Sequence, residues 1–177
     1  YTRHIRECGR DLLKCAEDTL ALTSTLAHGP QAANTRPLDL DEFVADAWSF
    51  FSAETRSRSV RLAPDLPAMI EIVGEARPVR QILINLFAEA LARVPDGGTI
   101  SISADDDGSA VALNIRVAGA TIRPDVGQAP LAVCIARVLL EQSGSGLLDG
   151  MDSDGTWCAT TFFDRASQQD FFSKGLV

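Results

Sequence analysis

The segment from Pro78 to Gly119 changes its hydrophobic period part-way along, and this change restricts the possible fold most strongly. From Pro78 to Val94 the apolar residues recur every three or four positions, as one face of an α-helix requires. From Thr99 to Gly119 they alternate with polar residues, which is typical of two half-buried strands, and the stretch DDDGS forms the turn. A helix that leads directly into an antiparallel hairpin predicts helices packed on a sheet.

The rest of the chain continues this alternation of helices and strands. Further helices are predicted over residues 38–57 and 130–144, the second with a proline in its first turn. Further strands are predicted at SVRLAP, IEIV, GLLDGM and WCATTFF. The predicted class is α+β, with one mixed, mostly antiparallel sheet and helices on one of its faces.

Residues 1–29 are predicted to form a separate long helix that makes a homodimer. Apolar and small residues follow one another in steps of three and four positions, which is typical of a coiled-coil seam. The seam consists of Ile5, Cys8, Leu12, Cys15, Leu22 and Leu26. A helix exposed in this way needs a partner, although packing on its own domain is the alternative. We expect a linker over residues 30–37, one domain over 38–164 and a C-terminal tail over 165–177.

Composition excludes several classes of function. The chain has 177 residues, of which 46% are hydrophobic and 23% charged, as in a globular protein. Its formal net charge of -8 gives no general support for a nucleic-acid or anionic-membrane partner. Four widely spaced cysteines and two histidines do not predict a metal site, and they are consistent with reduced thiols in the cytoplasm. Because the chain opens on Tyr1 rather than Met, we expect it to be a fragment.

The order of these segments resembles the C-terminal half of a two-component sensor histidine kinase. YTRHIRECGRDLLKCAEDTLALTSTLA resembles the second helix of the family's dimerisation and phosphotransfer hairpin. RQILINLFAEALARVPDGGTISISA resembles the N-box helix and the strand that follows it, and AVALNIRVAGATI resembles the strand and G1 loop. The resemblance implies a Bergerat-type α/β sandwich on a dimeric helical stalk, and a role in two-component signalling with a response regulator or a partner histidine kinase.

The N-box departs from the family at the residue that holds magnesium. The family's motif has two asparagines, and the second holds Mg²⁺ against the ATP phosphates. Here Asn85 keeps the first position, while Glu89 replaces the second. Glu89 adds a negative charge beside a triphosphate, and an ion pair with Arg93 or Arg116 is expected instead.

The G1 loop departs at the residue that recognises the base. The family's aspartate accepts a hydrogen bond from the adenine amino group, and its two glycines let the backbone approach the base. Here Val117 replaces the aspartate, Gly119 remains, and Thr121 replaces the second glycine. We expect Val117, Ala118, Ala120 and Ile122 to be packing residues that fill the space of the adenine.

The phosphate-binding loop is the third departure. The family has a flexible lid followed by glycines whose N–H groups bind the phosphates at a helix N-terminus. Here only eight residues separate Ile122 from Leu131, and Gln128 and Pro130 stand in place of glycines. Proline has no N–H to donate. We therefore predict that binding of ATP and magnesium is lost and that the chain has no cofactor.

Other possible sites receive structural interpretations. His4 lies on the segment that matches the second hairpin helix, whereas the family's phosphoacceptor is on the first, so His4 is expected to be a solvated helix residue. Cys8 and Cys15 are interpreted as seam residues, with a redox disulfide between symmetry mates as the alternative. Asp105–Asp107 are interpreted as the hairpin turn rather than a calcium site.

The predicted function is a histidine-kinase-like signalling module with a non-functional ATP site that acts through protein–protein interaction. No catalytic residue is assigned, and the chain is not expected to be an enzyme. Two alternatives remain open. One is a sensor histidine kinase with an altered but active ATP site. The other is an ATP-independent phosphotransfer protein whose histidine lies upstream of Tyr1.

Overall fold

The computed structural model describes residues 35–121 and 130–166, which form two sheets and a layer of helices. The helices are α1 (Leu40–Ser49), α2 (Ser52–Arg58), α3 (Ala76–Arg93) and α4 (Leu131–Gln142). The strands are β1 (Arg36–Asp39), β2 (Arg61–Asp65), β3 (Glu71–Gly74), β4 (Thr99–Asp106), β5 (Ala110–Val117), β6 (Leu147–Met151) and β7 (Trp157–Asp164).

The main sheet has five strands in the order β2-β4-β5-β7-β6. The β2 and β4 strands are parallel, and every other neighbouring pair is antiparallel. The predicted mixed, mostly antiparallel sheet is therefore confirmed. The hairpin of β4 and β5, which the alternating pattern predicted, forms the centre of this sheet together with β7.

Helices cover one face of the main sheet. Apolar and polar residues alternate along the strands, and the apolar ones face the helices. The inward side chains on the three central strands are all buried: Ile100, Ile102, Ala104, Val111, Leu113, Ile115, Val117, Trp157, Ala159, Thr161 and Phe163. The α3 helix packs between α1 and α4 and contacts β5 and β7. The predicted arrangement of helices on one face is confirmed.

A two-stranded sheet of β1 and β3 lies beside the end of β7; the strand at IEIV was predicted, whereas β1 was not. Strand β1 pairs antiparallel with β3, with Leu38 opposite Ile72. Residues Arg36 and Pro37, which were assigned to the linker, therefore belong to β1. A four-residue strand that contains proline carries no alternation signal, and its pairing with β3 supplies the backbone hydrogen bonds that define it.

The helix predicted over residues 38–57 is in fact two helices. Asp39 caps α1, since its carboxylate accepts hydrogen bonds from the N–H groups of Asp41 and Glu42. The chain then breaks at Phe50 and Phe51, whose rings meet edge to face with centroids 5.2 Å apart. Burial of Phe51 in the core fixes this break, and neither glycine nor proline marks it in the sequence.

The end of α3 is held by an arginine from α2. Arg58 donates hydrogen bonds to the carbonyl oxygens of Leu91 and Val94 at 2.7 and 2.5 Å, and its Nε donates to Asp96 at 2.7 Å. These carbonyls belong to the last turn of the helix, where no intrahelical donor remains. Arg58 thus fixes where α3 ends and where β4 begins.

None of the helices in the described part of the chain is long and apolar enough to cross a membrane.

Candidate functional site

The predicted site lies where the second half of α3 faces the end of β5 and the start of β7. Val117 closes β5 and is paired with Trp157, the first residue of β7. Asn85 and Glu89 lie one turn apart on α3, and Arg93 follows one turn later, so the three share one helix face. Asn85, Glu89 and Arg93 thus lie on one face of the helix that contacts β5, the strand that ends at Val117.

Glu89 is buried and paired with an arginine of its own helix. The residue is 2% exposed, and Arg93 is 6% exposed. The Arg93 Nε donates to Glu89 Oε1 at 2.7 Å. The predicted ion pair is confirmed for Arg93. Arg116 instead lies 3.5 Å from a carboxylate oxygen of Asp152, and both of these side chains reach solvent.

The guanidinium of Arg93 also stacks on an aromatic ring. Its Cζ lies 5.4 Å from the centroid of Trp157, within the range of a cation–π interaction. Trp157 is itself 1% exposed. A carboxylate, a guanidinium and an indole thus form one buried cluster between α3 and β7, which we call the Glu89–Arg93–Trp157 cluster.

Trp157 was not singled out in the sequence as part of the site. Its contact with Arg93 joins residues that are far apart in the chain, so local pattern could not reveal it. The sequence shows Glu89 and Arg93 four positions apart on one helix, which predicts their ion pair but not the contact with Trp157.

Asn85 is fully buried and makes a local hydrogen bond. Its Nδ2 donates to the carbonyl oxygen of Gln81 at 2.9 Å. Its Oδ1 accepts no hydrogen bond in the described part of the chain. Buried amide oxygens usually accept a hydrogen bond, so Asn85 Oδ1 is an unsatisfied buried acceptor at the site. The indole Nε1 of Trp157 is likewise buried and donates no hydrogen bond in the described part of the chain.

Val117 is a core residue, as predicted. It is 0% exposed and belongs to the cluster of buried apolar residues that fills the space between sheet and helices. Ala120 is partly buried and packs against the same cluster. The packing role predicted for Ala118 is wrong, because this residue directly follows β5 and is exposed to solvent. Ile122 lies outside the described residues.

The loop after β5 is tied to α3 and to the final hairpin by backbone hydrogen bonds. Gly119 has a φ of +60°, a left-handed conformation that glycine adopts without strain. The N–H of Ala120 donates to the carbonyl of Gly155 at 3.2 Å, and the N–H of Thr121 donates to the carbonyl of Arg93 at 2.8 Å. Thr121 is exposed, so its side chain does not enter the buried cluster.

The turn between β6 and β7 borders the site with acidic residues. The carboxylates of Asp152 and Asp154 accept from the N–H of Thr156 at 2.8 and 3.2 Å. Hydrogen bonds from the Asp152 and Thr156 side chains hold the pKa of Asp154 below its usual value. Burial raises the pKa of the neighbouring Cys158 thiol, so this cysteine is not activated as a nucleophile.

The remaining predicted candidates separate into two groups. Asp105–Asp107 were interpreted as the hairpin turn, but Asp105 and Asp106 are the last residues of β4, opposite Ala112 and Val111, and only Asp107 lies in the turn. Asp107 accepts hydrogen bonds from the N–H groups of Ala110 and Ser109. These bonds lower the pKa of Asp107. The seam of residues 1–29, His4, the loop 122–129 and the tail beyond residue 166 lie outside the described residues.

Sensor histidine kinases are among the sequence relatives of the chain. It is 31% identical over 101 residues to the adaptive-response sensory kinase SasA of Synechococcus, which covers 53% of this chain and 26% of SasA. It is 27% identical over 127 residues to the sensor protein TorS of Escherichia coli, covering 69% of this chain and 14% of TorS. The chain thus spans only a minor part of these relatives. A scan against protein-family models finds no match.

Solved histidine kinases share the fold. Full-length ShkA in complex with AMPPNP superimposes with a TM-score of 0.73 at 20% identity, covering 94% of this chain and 39% of ShkA. ThkA in complex with the response regulator TrrA superimposes with a TM-score of 0.64 at 16% identity, covering 75% of this chain and 42% of ThkA.

The chain has the fold of the histidine kinases with which it superimposes. Together with the sequence relatives, this confirms the resemblance to the C-terminal region of sensor histidine kinases, a fold of two-component signalling.

Proposed function

We propose that the chain is a histidine-kinase-like signalling module that does not bind ATP and that acts through contacts with other proteins. The observation that carries the proposal is the Glu89–Arg93–Trp157 cluster. The family holds magnesium from the position of Glu89, and here that carboxylate is bound at 2.7 Å by Arg93. A magnesium ion would have to compete with a buried guanidinium that already neutralises the carboxylate and is stacked on Trp157.

The position that recognises adenine supports the same proposal. Val117 is fully buried and cannot accept a hydrogen bond. An adenine amino group left without an acceptor in a buried pocket loses about 1–3 kcal/mol. This corresponds to a tenfold to hundredfold weaker affinity on the scale of about 1.4 kcal/mol per factor of ten. The residues at the base and metal positions therefore do not fit a magnesium–ATP complex.

The sequence of the phosphate loop adds a third independent loss. Eight residues join Ile122 to Leu131, and Pro130 stands immediately before α4. Proline cannot donate an N–H to a phosphate at this helix N-terminus. Since base, metal and phosphate contacts are each weakened, restoring one of them leaves the other two unmade.

Without ATP, the remaining role of such a module is to bind other signalling proteins. The related fold of ThkA has been solved with its response regulator TrrA, which makes a response regulator the first partner we propose. A partner histidine kinase is the second. We place the module in the cytoplasm, where a thiol such as that of Cys158 stays reduced. A kinase that still uses ATP, or a phosphotransfer protein with its histidine upstream of Tyr1, are the competing functions.

Restoring two family residues should not restore ATP binding. The variant Val117→Asp with Glu89→Asn regains an adenine acceptor and a metal amide, each worth about 1–3 kcal/mol, but still lacks the phosphate loop. We expect no change in its melting temperature on addition of millimolar ATP and Mg²⁺. Circular dichroism establishes first that the variant is folded. The variant Glu89→Asn with Arg93→Gln, which leaves no buried charge of the pair, is the second test. A magnesium-dependent rise in either melting temperature would contradict the proposal.

The proposed homodimer depends on the seam of the N-terminal segment, which lies outside the described residues. Leu12→Asp and Leu22→Asp each place a charge in that seam, and we expect both to shift the chain from dimer to monomer in sedimentation experiments at rising concentration. Leu148→Asp is the control, because Leu148 is an exposed leucine on the main sheet. A wild-type chain that stays monomeric at high concentration would overturn the dimer.

A further inference from the structure

We infer that a cavity between α2 and the start of β2 is a docking surface for an acidic segment of a partner protein. The cavity has a volume of about 430 Å³, is open to solvent on one side, and is lined by Thr55, Arg56, Ser59, Val60, Arg61 and Gly97. It contains none of the residues of the degenerate nucleotide site. The inference rests on the proposed function for the existence of a protein partner, and it adds where that partner binds and what chemistry it presents.

The first argument is charge that the chain itself does not compensate. Of the ten arginines in the described segments, six form salt bridges with carboxylates: Arg58, Arg80, Arg93, Arg116, Arg137 and Arg165. Arg36, Arg56, Arg61 and Arg77 have no carboxylate partner in the described part of the chain. Two of these four line the same cavity. In a chain with a formal net charge of -8, two arginines without a carboxylate partner at one cavity are unexpected.

The second argument is that the wall carrying these arginines is fixed. The N–H of Val60 donates to the carbonyl of Thr55, and the N–H of Arg61 donates to the carbonyl of Gly98. The N–H of Gly97 donates to the carbonyl of Arg58, the residue that also caps α3. The backbone that carries Arg56 and Arg61 is therefore pinned on both sides, which lowers the entropic cost of binding a ligand there.

The third argument is local backbone strain at the rim. Ser59 ends α2 with a φ of 56°, a left-handed conformation that is uncommon for a residue other than glycine. Ser59 lines the cavity, and its hydroxyl makes no hydrogen bond in the described part of the chain. The cavity is thus lined by two arginines and a serine; the Nε of Arg56 donates to the carbonyl of Ser52 at 2.9 Å, which leaves its terminal guanidinium nitrogens for a ligand.

These donors fit a carboxylate-bearing segment. Guanidinium groups bind carboxylates through two parallel hydrogen bonds, and the exposed position of both arginines suits a protein surface that approaches from solvent. A membrane or a nucleic acid presents negative charge over an area much larger than this cavity, and the net charge of -8 repels it. A short acidic segment is influenced mainly by the local positive charge, because charges beyond about 8 Å are largely screened at physiological salt.

A nuclear magnetic resonance titration of the full 177-residue chain tests this inference. The probe is a hexaglutamate peptide with blocked termini, and hexaglutamine is the uncharged control peptide. We expect amide shifts confined to residues 55–61 and 97, absent with hexaglutamine, and weaker at high salt. Shifts spread over other surfaces would overturn the inference.

Two double variants separate this cavity from a general effect of charge. Arg56→Gln with Arg61→Gln should weaken the affinity for hexaglutamate about tenfold, as expected for losing two exposed charge pairs. Arg36→Gln with Arg77→Gln removes the same charge from the other two uncompensated arginines and should change the affinity less than twofold. Equal weakening by both variants would contradict the inference.

Inorganic phosphate is the remaining arm of the experiment. If phosphate binds residues 55–61 as tightly as the peptide does, the cavity is a site for a small anion and not a docking surface. The outcome of the peptide titration does not depend on whether the chain binds ATP. If the chain binds neither ATP nor hexaglutamate, the proposed loss of ATP binding still holds and the docking surface is ruled out.

Discussion

Replacing Arg93 by Met should lower the free energy of unfolding by about 3–5 kcal/mol, the usual cost of removing one partner of a buried ion pair. The substitution leaves the Glu89 carboxylate, which is 2% exposed, without its guanidinium, and it removes the cation–π contact with Trp157. Equilibrium unfolding in urea measures this change in the free energy of unfolding, provided that the m-value, its dependence on urea concentration, is the same for wild type and variant.

Two comparisons make this prediction specific. Arg80→Met removes an exposed arginine from a pair with Asp46 in which both side chains are more than half exposed, and we expect a loss below about 1 kcal/mol. The double variant Glu89→Leu with Arg93→Met removes both buried charges, and it should recover most of the stability lost in Arg93→Met. If Arg93→Met costs no more than Arg80→Met, the Glu89–Arg93–Trp157 cluster does not stabilise the domain.

Replacing Val117 by Asp should have the second large effect. Val117 is fully buried at the end of β5, between the inward faces of β4 and β7. The buried guanidinium of the facing helix, that of Arg93, is already paired with Glu89, so a carboxylate placed there is an unpaired buried charge and costs about 3–5 kcal/mol or more. The same unfolding measurement tests this variant.

The neighbouring position supplies a matched control. Ala118 is exposed, so Ala118→Asp adds the same carboxylate one residue further along and should change stability by about 0.5 kcal/mol or less. A Val117→Asp variant as stable as wild type would show that a hydrated cavity persists at the adenine position. The domain would then be a nucleotide-type site with a different ligand.

Strong local periodicity is what made most of the fold predictable. The helix expected from Pro78 to Val94 is α3, Ala76–Arg93, and the alternation after it gives the β4–β5 hairpin at the centre of the sheet. Each of these elements buries one face, so the spacing of its apolar residues in the sequence indicates which side chains contact the core. The burial of Val117 and the pairing of Glu89 with Arg93 were predictable for the same reason, since both follow from a single strand or helix.

Elements that depend on distant partners were not predictable. Strand β1 exists because β3 lies beside it, and the break at Phe50 and Phe51 exists because the core accepts the second ring. The contact between Arg93 and Trp157 and the capping of α3 by Arg58 join segments that are remote in sequence. A single sequence contains no period or spacing that reports such contacts.

Isothermal titration of the wild-type chain with ATP and Mg²⁺ tests the central claim, the loss of nucleotide binding, most directly. We predict no saturable heat with millimolar nucleotide, because the base acceptor, the metal ligand and the phosphate loop are each altered. A magnesium-dependent saturable isotherm with a micromolar dissociation constant would contradict the claim. Such affinity would also raise the free energy of unfolding by about 4 kcal/mol at millimolar ATP, which thermal denaturation would detect.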